Sequence, residues 1–190
     1  MTELDPQDRP EKTIGVLVLG LGNVLLADDG LGAAVIGRLE RDYQIPPGVH
    51  LVDGGTLGLS LLGLIAEAQH AIIVDAVRAD NRPGTLIRLV GEDVADAVRD
   101  RLSPHQVGVA DLLDTARLID RYPSTVTLLG LVPESFDLTL SRSNAVESGL
   151  DELVNAVVRE VQSLGYTLAT GPEDAGQCRP VHNLARYFGM

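Results

Sequence analysis

The chain has a single cysteine, Cys178, no tryptophan, two phenylalanines and four tyrosines in 190 residues, and only 15 basic side chains against 27 acidic ones. One cysteine excludes an internal disulfide and a Cys-x-x-Cys metal clip, and because it sits in a polar tail with no helical setting, a catalytic thiol is not expected. With aromatics at 3% and hydrophobic residues at 45%, the core has to be built from Leu, Val, Ile and Ala packed in layers rather than around large rings. The formal net charge of -12 leaves no basic footprint for nucleic acid or anionic lipid. No apolar run reaches the length of a membrane span, and residues 1–12 (MTELDPQDRPEK) are acidic and polar, the opposite of a secretory signal, so a cytoplasmic protein is expected.

The length suits one domain, and the apolar pattern alternates between two periods. Residues 14–19 and 71–77 are nearly continuous apolar runs, as in strands buried on both faces, and 125–132 (TVTLLGLV) is a third. Shorter strands are predicted over 49–53 and 85–90. Helical spacing covers 30–43, 57–68, 107–120 and, behind a cap at Ser143 or Asn144, about 144–164. Ser103-Pro104-His105-Gln106 is a helix start with serine as cap, proline in the first turn and glutamine at the capping-box position, and 92–101 is predicted as a short helix or ordered loop. This order predicts an α/β fold, a three-layer α/β/α domain with a mainly parallel twisted sheet over 14–165. Residues 1–13 are expected to be disordered, and 166–190, rich in glycine, proline and scattered polar residues, to form a mobile tail.

The segment 14–32, IGVLVLGLGNVLLADDGLG, begins like a dinucleotide-binding turn and then departs from it. The third glycine of that fingerprint would fall three residues after Gly22, where the chain has Leu25, and Asp28-Asp29 would repel a pyrophosphate. Acid in that place suits a cation or an attacking water. Ligands of open α/β sheets bind beyond the carboxyl ends of the strands. Asp29 follows the first strand, Asp75 closes the apolar run IIVD, and His105 stands in the first turn of a helix, so all three are expected at one edge as a partial ligand set for a divalent metal such as nickel or zinc.

Each residue also has an ordinary reading. Asp28 and Asp29 suit a helix cap, Asp53 before Gly54-Gly55 suits a turn, and His105 suits a solvated helix start. Asp75 resists such a reading, because a carboxylate ending a buried strand is desolvated unless it is paired or ligated. Asp29 and Asp75 are the catalytic candidates; Asp28, Asp53 and Asn23 are expected to support them or to contact substrate. A paired-carboxylate, aspartic-protease-like arrangement needs an approach that sequence alone leaves open. The serine nucleophile elbow, the H-E-x-x-H zinc motif and the P-loop are all missing.

With GLGNVLLADDGLG, DGGTLG, IIVDAV, SPHQVG and LVPES in that order, the chain resembles the hydrogenase maturation endopeptidases from about residue 14 to 164. The resemblance implies an α/β/α fold and an endopeptidase that removes the C-terminal extension of the nickel-iron hydrogenase large-subunit precursor after nickel insertion. It implies a metal held by Asp29, Asp75 and His105, with Asp29 standing where some relatives carry glutamate. The nickel would be carried by the substrate, with zinc or another divalent ion able to take its place. Two alternatives stand beside this reading: a peptidase holding its own zinc on the same residues, and a nucleotide-binding assembly module using Gly20 and Gly22.

Overall fold

Residues 14–21 carry no charged side chain, and this lets the first strand run through the middle of the molecule with every residue but Gly15 buried. The computed structural model describes residues 11–94 and 104–171, with the side chains of 104–107 outside that description. In chain order the elements are β1 (Ile14–Leu21), α1 (Leu31–Asp42), β2 (Tyr43–Gln44), β3 (Val49–Gly55), α2 (Leu62–Glu67), β4 (Ala68–Ala76), β5 (Leu86–Val90), α3 (Pro104–Leu118), β6 (Thr125–Leu131), α4 (Asn144–Ser163) and β7 (Ala169–Thr170). The main sheet has the order β3-β1-β4-β6-β5. All neighbours in it are parallel except β5, which closes one edge antiparallel to β6.

The period of two along the strands sorts the core into two halves. Val16, Val18, Ile72, Val74 and Leu129 pack against α1 and α4, while Leu17, Leu19, Ile73, Val126 and Leu128 pack against α2 and α3. On α4, Val146, Leu150, Leu153, Val157 and Val161 form the stripe that a helical period requires, and Ser143 Oγ caps it by accepting from Val146 N–H at 3.2 Å. The three-layer α/β/α arrangement is therefore the predicted one.

Several boundaries differ from the sequence reading. The helix predicted over 57–68 is a 3-10 turn, Gly58–Leu61, followed by the short α2, because Gly58 takes a positive φ and Ala68 is already paired with Ile14 at the start of β4. A further 3-10 turn, Ala27–Gly30, precedes α1. The two terminal segments are held further than expected. Lys12 Nζ donates to the carbonyls of Ala68 and Tyr122, each at 2.8 Å, and Thr13 Oγ1 donates to Glu67 at 3.0 Å. At the other end Leu168 is buried and β7 pairs antiparallel with β2, a two-residue ladder too short to leave a periodic trace in the sequence. The predicted Ser103 cap, most of the element over 92–101 and Cys178 lie outside the described residues. No described helix is long and apolar enough to cross a membrane.

One backbone contact decides what comes to the sheet edge. A Cβ on Gly32 would collide with the backbone of Leu21, and one on Gly20 would meet the Gly32 carbonyl, so β1 and α1 cross with nothing between their main chains. That crossing seats the Ala27–Gly30 turn over the end of β1. Gly32→Ala is expected to lower stability by about 3 kcal/mol, the upper range for overpacking a tight contact, read as a lowered midpoint of urea unfolding.

Candidate active site

Parallel strands that all point one way end at one edge, and the acidic residues singled out above lie there because they follow β1, end β3 or end β4. Asp29 is buried, 2% exposed, in the turn after β1. Its Oδ2 accepts from Asn23 N–H at 2.7 Å, and Gly22, at φ +112°, permits the approach, since a Cβ there would strike the Asp29 carbonyl. Asn23 contributes this main-chain donor, while its side-chain oxygen accepts from Leu25 N–H at 3.0 Å and shapes the loop.

Asp75 is the penultimate residue of β4 and 5% exposed, surrounded by the apolar ends of the central strands. Burial, and next the charge of Asp29, push its carboxyl up to about 7, with the Ala76 N–H, donating to Oδ1 at 2.7 Å, partly opposing the shift. Asp75 thus feels the charge of Asp29 from a desolvated position. The sequence reading brought Asp29 and Asp75 to one edge, and the structure couples them electrostatically.

Asp28, one residue earlier, has a different task. It is fully buried; Oδ2 accepts from Glu134 N–H at 2.8 Å and Ser135 N–H at 3.0 Å, and Oδ1 from Ser143 N–H at 2.7 Å. Burial alone would raise its pKa, but these donors together hold it below the usual carboxylate range. Asp28 is a clasp that ties the β1 loop to the segment after β6. Ala27 N–H strengthens the tie by donating to the Thr139 carbonyl at 2.8 Å, and the loop keeps Ala27 at φ +43°, a conformation that persists only where surroundings over-determine it. Asp53 accepts from Gly55 N–H at 3.1 Å, the turn role that its following glycines suggest.

His105 is the second residue of α3, and its side chain lies outside the described residues. The helix start is docked through glycine: a Cβ on Gly108 would sit 3.3 Å from Gly58 Cα, next to the loop that follows β3. Among the described residues no group of three metal-ligating side chains occurs. What sequence reasoning missed is the part played by the main-chain donors of residues 134, 135 and 143. Their partner is more than 100 positions away, so no local pattern could point to it. The rim of the edge is apolar, with Val24 and Leu25 exposed on the β1 loop, Leu57 and Leu59 after β3, and Leu138 and Leu140 after β6.

An α/β/α sheet with two buried aspartates, Asp29 and Asp75, at its strand ends and exposed apolar side chains around them places this chain among open-sheet α/β proteins whose candidate site lies beyond the strand ends. Residues 33–160 match the family described as hydrogenase maturation protease. The chain is 38% identical over 151 residues to the hydrogenase 2 maturation protease of Escherichia coli (strain K12), covering 79% of this chain and 92% of that protein. Its fold matches the solved structure of the hydrogenase maturating endopeptidase HybD from E. coli with a TM-score of 0.80 and 35% identity, over 83% of this chain and 98% of the other. The [NiFe] hydrogenase maturation protease HybD from Thermococcus kodakarensis aligns with a TM-score of 0.64 and 26% identity, over 77% and 99% of the two chains. This chain belongs to the hydrogenase maturation protease family and is an endopeptidase. Neither the resident-zinc peptidase nor the nucleotide-binding module is favoured, and the second also conflicts with Gly22 lying against Asp29 where a phosphate would have to bind.

Proposed function

We propose that this endopeptidase removes the C-terminal extension of the precursor of a nickel-iron hydrogenase large subunit once nickel has been inserted, and that Asp29, Asp75 and His105 recognise the metal carried by that substrate. The observation that supports this reading best is the coupling of Asp29 to Asp75: a strand-end carboxyl raised to about 7 by burial and by a second carboxylate gains most from a dication. A histidine suits the third position beside two carboxylates, because imidazole nitrogen is a common ligand of borderline divalent ions. Zinc or another divalent ion suits the same donors.

With a loaded precursor bound, the same geometry holds the scissile bond in register, so binding energy serves cleavage only when the cargo is present. An Asp29 or Asp75 oxygen takes a proton from the attacking water as its oxygen adds to the carbonyl carbon, and the proton then passes to the leaving amine. This is an aspartic-protease-like use of two carboxylates, with the substrate's own metal available to polarise the carbonyl.

The purified protein should cleave nickel-loaded precursor and leave nickel-free precursor intact, as followed by the mass of the large subunit. Equal cleavage of both would remove the metal check from the mechanism.

A further inference from the structure

Arg38, Arg41, Arg88, Arg117, Arg121 and Arg142 each pair with a carboxylate, as expected in a chain with so many acids. Arg78 does not. Among the described residues no carboxylate lies within ion-pair distance of it; instead its guanidinium carbon sits 4.8 Å from the centroid of the Phe136 ring. The residue is exposed and Phe136 is half-buried. Stacking on a ring fixes the plane of a guanidinium while its N–H edge stays open for a planar, bidentate acceptor.

The location gives that open edge a purpose. Arg78 follows Asp75 by three residues on the loop that leaves β4, and Phe136 follows Ser135, whose N–H is held by the Asp28 clasp. Both parts of the stack are therefore attached to rigid pieces of the active-site edge. Three residues of extended chain span at most about 10 Å, so a peptide lying across the carboxylate pair reaches Arg78 within about three residues of the scissile bond. The buried carboxylate pair and the net charge of -12 repel an acidic substrate segment, and Arg78 reverses the sign at one point of the rim. Leu138 and Leu140, exposed two and four residues beyond Phe136, add apolar surface on the same segment.

We propose that Arg78, held by Phe136, binds a carboxylate of the precursor close to the cleaved bond and is the residue that selects which precursor is accepted. This rests on the proposed function, and it makes Arg78 a specificity residue that acts on binding rather than on the chemical step. A bidentate charge-assisted pair is the interaction that a guanidinium fork forms best and an ammonium forms less well.

The test compares wild type, Arg78→Ala and Arg78→Lys on nickel-loaded precursor. Expected for Arg78→Ala is a rise in KM of about tenfold or more with kcat within about twofold, partial recovery in Arg78→Lys, and loss of the salt dependence of KM. Changing the precursor's acids near the bond to amides, one at a time, should reproduce the KM rise in wild type and add nothing in Arg78→Ala. A precursor whose C-terminal carboxylate is amidated separates a side-chain source of the carboxylate from a terminal one. A synthetic peptide spanning the cleavage site, with binding followed by fluorescence anisotropy, gives a readout independent of turnover. Unchanged KM and unchanged peptide binding in Arg78→Ala overturn the proposal. If wild type fails to process loaded precursor, the proposed function falls, and the peptide comparison alone then decides the role of Arg78.

Discussion

Asp75→Asn is expected to yield a protein that is more stable than the wild type and inactive. In the unfolded chain the carboxyl is ordinary, with a pKa of 3.8, whereas in the folded protein burial and Asp29 raise it to about 7. Between those values the folded state holds a proton that the unfolded state releases. Stability from this group is therefore fully present below pH 3.8 and is lost as pH rises through 7, after which the loss is constant. Its size above pH 7 is on the order of 4 kcal/mol, as an upper bound. Asparagine fills the same space without a charge, so the variant's advantage should be large in urea unfolding at pH 8 and should shrink at pH 5, both measured with chelator present. Processing of loaded precursor should fall by about 10²- to 10⁴-fold, the range for a lost general base. A variant less stable than wild type at pH 8 would show that the strand end is not under this electrostatic load.

The neighbouring carboxylate gives the opposite result. Asp28→Ala leaves three part-buried N–H donors, those of Glu134, Ser135 and Ser143, without their acceptor. Hydrogen bonds to a charged group contribute roughly 1.5–3 kcal/mol each, and their loss is not additive where one loop carries all three, so a total of about 3–5 kcal/mol is expected. Asp28→Asn keeps one carbonyl oxygen and should lose about half as much. Because the folded pKa of Asp28 lies below 3.8, its contribution is present above that pH and fades as pH falls through the lower, folded value. The gap between wild type and Asp28→Ala should therefore narrow in acid, the reverse of the Asp75 trend. Urea midpoints across pH test both signs in one experiment. Loss of activity is expected too, through the segment that carries Phe136 and Leu138 rather than through the chemistry.

These two aspartates show how far the sequence was readable. Asp75 was legible because a charge at the end of IIVD conflicts with its own surroundings, and such a conflict is local. That Asp29 and Asp75 lie at one edge followed from a topological rule, since strands pointing the same way end at the same edge; their electrostatic interaction did not. Asp28 was not legible: it was grouped with Asn23 and Asp53 as a supporting residue, and nothing near it reveals that it clasps the segment after β6. The ordered start of the tail was missed for a related reason, since β7 has two residues and depends on β2 for its existence.

By itself, the sequence determined the layers, the mainly parallel sheet and the edge at which Asp29 and Asp75 lie, because apolar period and strand direction are properties of short windows of chain. Only the tertiary structure decided that the charge of Asp29 acts on Asp75 while Asp28, beside it in the same 3-10 turn, accepts from main-chain donors of residues 134, 135 and 143. Consecutive residues of such a turn point about 120° apart, and what lies in each direction is set by segments distant in sequence that packing alone brings together.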